Sequence, residues 1–181
     1  FYRHEYILPN KGLLMMDKEI IELSERLGKV LKQKGLTIAT AESCTGGGIA
    51  QAITETSGSS AWFDRGLVTY SNLAKVQMLQ VKQSTLDQYG AVSEEVAKEM
   101  VEGALINSNA DLALSVTGIA GPSGGSELKP VGTVFICQGI KAGQIICNRY
   151  VFLGNRTTIR KQTIISALKD CLDNYTIFIK K

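Results

Sequence analysis

The chain has 181 residues, 44% of them hydrophobic and 20% charged, which suits one domain with a real core and is too apolar for disorder. Twenty basic and 17 acidic residues leave a net charge of +3, a near balance that calls for no nucleic-acid partner. No apolar run approaches the roughly 20 residues of a membrane span, so a soluble, non-membrane protein is expected.

The first fifteen residues do not resemble a signal peptide. They are expected to be a leader or tag-like extension (residues 1–15), with the natural start at Met15 or Met16 and a single domain over 16–181. Over 17–34 the apolar positions Ile20, Ile21, Leu23, Leu27, Val30 and Leu31 follow one face of an amphipathic helix, with Asp17 as N-cap and Gly35 as stop. Leu36-Thr37-Ile38-Ala39-Thr40-Ala41 reads as a buried strand. Glu42-Ser43-Cys44-Thr45-Gly46-Gly47-Gly48 is a small, polar turn leading into a helix over 49–55. A second strand is expected over 66–70, a helix over 72–79, and another, capped by Ser93, running to 106. Residues 111–117 read as a third strand, ending in a glycine- and proline-rich loop over 118–125. The segments 131–138 and 144–152 form an antiparallel hairpin, and a helix over 157–175 closes the chain. The alternation indicates an α/β three-layer α/β/α sandwich, its mixed sheet mostly parallel with a late antiparallel hairpin.

Cys44, Cys137, Cys147 and Cys171 form no CxxC pair, and His4 is the only histidine. A structural zinc site is not expected, and the cysteines read as reduced thiols of a cytoplasmic protein. His4 lies in the expected leader, which excludes a Ser-His-Asp triad and a Cys-His pair and leaves a serine or cysteine activated by lysine. Ser60, Tyr70 and Lys75 supply a serine, a phenol and an amine across a strand-to-helix junction. Each also has an ordinary reading: Ser60 as a turn cap, Tyr70 as strand packing, Lys75 as a solvated helix residue. Cys44, ahead of a helix, is either a thiol of depressed pKa or a small packed residue, the second being favoured without a histidine. The two glycine-rich loops end predicted strands, where ligands of open α/β sheets bind. The first is neither GxGxxG nor a Walker A sequence, but its N–H groups stand at a helix start, where a phosphate could sit.

Several runs resemble the CinA C-terminal domain family: Ala41-Glu42-Ser43-Cys44-Thr45-Gly46-Gly47, Gly58-Ser59-Ser60-Ala61-Trp62-Phe63, and Val68-Thr69-Tyr70-Ser71-Asn72 with Ala74-Lys75. The likeness continues through Gly90-Ala91-Val92-Ser93, Gly118-Ile119-Ala120-Gly121-Pro122 and Lys129-Pro130-Val131-Gly132-Thr133-Val134, covering residues 17–175. Stand-alone members are nicotinamide-nucleotide amidases. The resemblance therefore implies hydrolysis of the carboxamide of nicotinamide mononucleotide to nicotinate mononucleotide and ammonia, in the pyridine nucleotide cycle. It implies no cofactor, no metal and a homo-oligomer. By the same resemblance Ser60 is the nucleophile, Lys75 its general base and Tyr70 an assisting hydroxyl, with Ser43 the competing nucleophile at a sharp strand-to-helix turn. Substrate would be held by Ser43, Thr45, Gly46, Gly47, Thr117, Gly118, Gly121 and Arg156. Arg65 and Arg156 are the cations that could help depress the Lys75 pKa. The alternative is a non-catalytic nucleotide-binding or partner-docking module linked to competence or damage responses.

Overall fold

Strand β1 (Ile38–Glu42) carries no charge until its last residue and is buried along its whole length, as a strand with helices on both faces must be. The computed structural model describes residues 11–179, with side chains over 17–175. Its five strands, which include β2 (Phe63–Val68), β3 (Leu112–Gly118), β4 (Thr133–Ile140) and β5 (Ile145–Val151), lie in the order β2-β1-β3-β4-β5. The β2–β1 and β1–β3 pairs are parallel; β4 runs antiparallel to both β3 and β5, so it alone opposes the common direction.

Helices α1 (Lys11–Lys34), α2 (Gly48–Thr54) and α6 (Arg156–Ile179) cover one face of the sheet. Helices α3 (Asn72–Leu79), α4 (Gln83–Tyr89) and α5 (Glu94–Ile106) cover the other. Period-two alternation divides the strand side chains between two cores. Leu112, Leu114 and Val116 of β3 pack with Ile20, Leu27 and Ile159 on the first face. Ala113 of β3 and Phe135 and Cys137 of β4 pack with Val96, Met100 and Ala104 of α5 on the second. The three-layer arrangement matches the expected class.

Several details differ from the sequence reading, among them strand β2, expected over 66–70 and found at Phe63–Val68, which leaves Tyr70 beyond its end. Helix α1 is described from Lys11, ahead of the start expected at Asp17, and residues 1–10 of the expected leader, His4 included, lie outside the described residues. Asp17 accordingly caps nothing; it pairs with Lys161 of α6. Helix α4 had no sequence signal, because Leu86 is its one buried residue. Cys137 and Cys147, read as reduced thiols, are joined by a disulfide. The β4–β5 register sets them directly opposite with Cα atoms 4.0 Å apart, a pairing their separation of 10 residues does not reveal.

Candidate active site

Three segments meet at the carboxyl ends of β1, β2 and β3. The turn after β1 brings Ser43, the β2–α3 junction brings Thr69, Tyr70 and Lys75, and the end of β3 brings Thr117 and Gly118. They enclose a cavity of about 240 Å³, whose lining includes Ser43, Tyr70, Lys75, Thr117, Gly118 and Arg156. A larger cavity of about 510 Å³ lies between α1, α2 and α6, where Arg160 and Lys161 face Asp17 and Glu55. Its lining holds no serine or cysteine, whereas the smaller cavity sets Ser43 beside Lys75.

Ser71 caps α3 by accepting from the Ala74 N–H, and the first turn then points Lys75 inward. Lys75 is 1% exposed, an unusual place for an amine. Its Nζ donates to Ser43 Oγ at 2.9 Å and to the Thr69 carbonyl at 2.8 Å, and no ion pair with a carboxylate forms among the described residues. Burial disfavours the ammonium and lowers the pKa from 10.5 to about 8, the Cys44 thiol pulling the other way. Desolvation is therefore the cause, and neither expected arginine is. Arg65 is exposed on β2, donating to Asp64 and to the Asn107 carbonyl. Arg156 donates to the Tyr70 hydroxyl at 2.6 Å and to the Gly121 carbonyl at 3.0 Å, bridging the cavity mouth.

The serine that meets Lys75 is Ser43. Ser60 sits exposed in a 3-10 turn at Ser59–Ala61, just before β2 begins. Because β1 and β2 run parallel from Ile38/Phe63 to Glu42/Val68, Ser60 and Ser43 lie at opposite ends of the sheet. Five strand residues at about 3.3 Å each put roughly 16 Å between them. The structure does not bring Ser60 to Lys75. Cys44 also borders the cavity, but burial pushes its thiol up to about 12, so the packed reading holds and the depressed-pKa reading does not.

The remaining expected residues divide into wall and frame. Thr117 is buried, its hydroxyl donating to the Ala91 carbonyl at 2.8 Å, and it lines the cavity with Gly118. Thr45, Gly46 and Gly47 do not line it. The Thr45 carbonyl accepts from Arg160, and Gly46 and Gly47 take left-handed φ values of 60° and 95° that let the turn double back on itself. The anion at the α2 start belongs to the protein: Glu42, 0% exposed, accepts from the Gly47, Ile49 and Ala50 N–H groups at 3.1, 2.9 and 2.8 Å. A substrate phosphate has no place there. Glu42 was missed, although its signal was legible as the one charge ending an uncharged strand; Asn72 and Ala120, which also line the cavity, gave no signal beyond their runs. No group of three His, Cys, Asp or Glu side chains among the described residues is placed to hold a metal ion.

Comparison with known proteins agrees with this architecture. The CinA C-terminal domain family profile matches residues 20–175. The chain is 54% identical over 155 residues to the nicotinamide-nucleotide amidohydrolase PncC of Escherichia coli (strain K12), spanning 86% of this chain and 94% of that protein. The Pseudomonas putida protein of the same name is 49% identical over 153 residues, spanning 84% and 95%. Among solved structures, the competence/damage inducible protein CihA from Agrobacterium tumefaciens is similar with a TM-score of 0.84 and 43% identity, over 93% of this chain and 98% of that one. With the profile running from α1 to α6 and the same fold in its relatives, the chain belongs to the CinA C-terminal domain family.

Proposed function

We propose that the protein hydrolyses the carboxamide of nicotinamide mononucleotide, with Ser43 as nucleophile and Lys75 as general base. The observation that carries this reading is the 2.9 Å contact between Lys75 Nζ and Ser43 Oγ inside a cavity that desolvates the amine. An amide carbonyl is a poor electrophile, so the serine must lose its proton as it attacks. With Lys75 neutral, the Ser43 hydroxyl donates along that same contact to the Nζ lone pair. The Oγ–C bond forms as the proton passes to Nζ, and the C–N bond then breaks as that proton is handed on to the nitrogen, which leaves as ammonia and returns Lys75 to its neutral form. Water cleaves the resulting ester by the same base, giving the carboxylic acid and restoring the serine.

Tyr70 accepts from Arg156, which leaves its own O–H available to relay the proton from Lys75 to the departing nitrogen, giving one proton and regaining one. Arg156 at the mouth is the cation suited to the substrate phosphate, and Thr117 and Gly118 form the wall beside the ring. The cytoplasm is the compartment that fits a nucleotide substrate; a disulfide such as Cys137–Cys147 is unusual there. A homo-oligomer follows from the family resemblance, and a second copy has a surface to use. Strand β2 is a sheet edge that ends in the exposed Val68, and Leu73 and Met78 of α3 and Ile106 of α5 are further exposed apolar residues.

The test is ammonia release from nicotinamide mononucleotide by the purified protein and by Lys75→Met. The parent turns over, and the variant loses about a hundredfold or more in kcat, the loss typical of a missing general base. Retained activity in the variant overturns the mechanism; an inactive parent overturns the substrate.

A further inference from the structure

Glu42 is the residue before the proposed nucleophile and points to the other side of the sheet. Ser43 reaches Lys75 on α3, while the Glu42 carboxylate lies under α2 and accepts five hydrogen bonds. Oε2 takes the Thr45 hydroxyl at 2.6 Å and the Gly47 and Ile49 N–H groups; Oε1 takes the Ala50 N–H and the Thr40 hydroxyl at 3.3 Å. Every group facing it is a donor. Its backbone carbonyl accepts from the Thr69 N–H at 2.8 Å, and the Thr69 carbonyl in turn holds Lys75 Nζ.

The N–H groups of the segment 43–50 can be followed one by one. That of Ser43 goes to the Val116 carbonyl, Gly46 to the Ser43 carbonyl and Gly48 to the Thr45 carbonyl. Those of Gly47, Ile49 and Ala50 go to Glu42. Cys44 and Thr45 remain, and no acceptor among the described residues takes either beyond the Cys44 sulfur itself. An N–H immediately after a nucleophile is where an acyl-transfer enzyme stabilises the oxyanion.

We infer that Glu42 is a positioning residue for the reaction. Its carboxylate gathers the donors of the α2 start and so fixes the turn with Ser43 toward Lys75 and the Cys44 and Thr45 N–H groups reserved for the oxyanion. The inference rests on the Ser43 reading and deepens it. Replacing Glu42 by Gln keeps the volume but turns an NH₂ group against donors, so the turn must shift.

The experiment compares the parent, Glu42→Gln and the milder Thr45→Val, which removes only one donor to the carboxylate. Two readouts are taken on variants that unfold cooperatively: kcat and KM for nicotinamide mononucleotide, and the rate at which diisopropyl fluorophosphate labels Ser43. In the labelling step the Oγ–P bond forms, the P–F bond breaks, fluoride leaves and Lys75 takes the proton, so no nucleotide is needed. Glu42→Gln is expected to lose at least tenfold in kcat with KM within about threefold, and at least tenfold in labelling rate; Thr45→Val loses severalfold in both. A folded Glu42→Gln equal to the parent overturns the inference, as does a parallel rise in KM with no loss in kcat. If Glu42→Gln does not fold, Thr45→Val decides by the same criteria. A parent that is labelled but releases no ammonia retires the nucleotide substrate, and the labelling rates still decide for or against Glu42. A parent with neither turnover nor label overturns both.

Discussion

Lys75, in the role of base proposed for it, would show how placement makes a base out of an ordinary surface residue type. An unperturbed lysine is almost wholly protonated at pH 7, but with a pKa near 8 about one molecule in ten carries the neutral amine there. With Lys75 as the proposed base the sign follows directly: the active form is the deprotonated one, so activity is expected to be lost as pH falls through about 8. A profile of kcat/KM is expected to rise roughly tenfold per pH unit below that point and to level off above it. A flat profile from pH 6 to 9 would remove Lys75 from the base's role. Cys44 cannot mimic the limb, because its thiol is pushed up to about 12 and stays protonated throughout. The choice between two serines belongs to the same scale. Both sit in runs that resemble the family, and only the strand direction separates them, putting Ser43 beside the amine and Ser60 at the far end of the sheet.

At the scale of elements, the site depends on how closely α3 approaches α5. A Cβ at Gly103 of α5 would lie 1.9 Å from the Leu79 carbonyl oxygen, which ends the helix carrying Lys75. That neighbour is backbone and cannot rotate away, so Gly103→Ala must push the helices apart. The expected loss is about 2 kcal/mol, or roughly 4–8 °C in Tm, read by thermal denaturation. Activity should fall with it, since Lys75 sits one turn from the clash; an unchanged Tm would refute the close packing. The helices and strands themselves were largely legible. The Ser93 cap and the acids after it place α5 to the residue, while the β4–β5 hairpin falls within two residues of its expected bounds and α6 runs four residues further, to Ile179. Helix α4 was not legible, because one buried leucine sets no period. Nor was the occupant of the first glycine loop. A helix start preceded by glycines reads as an anion site, and only the fold reveals that the anion is Glu42 from within.

The whole molecule adds what no single element supplies. The parallel order β2-β1-β3 gathers the three carboxyl-terminal loops at one end, so residues as distant in the chain as Ser43 and Arg156 border one cavity. The same topology leaves β2 as an edge strand, and the helices of the adjoining layer carry Leu73, 63% exposed, and Ile106, 66% exposed. If this face joins two copies, light scattering should give the parent at least twice the chain mass, and Leu73→Glu should reduce it to one chain. A monomeric parent would contradict the oligomer. No described helix is long and apolar enough to cross a membrane. The disulfide joins β4 to β5 and shares no residue with the cavity.

The central claim is that Ser43, held by Lys75, attacks the carboxamide. The measurement that tests it most directly is ammonia release from nicotinamide mononucleotide by Ser43→Ala and Ser60→Ala, run beside the parent. The account predicts a loss on the order of a thousandfold or more for Ser43→Ala and near-parent turnover for Ser60→Ala. The reverse pattern, with Ser43→Ala active and Ser60→Ala dead, would contradict it.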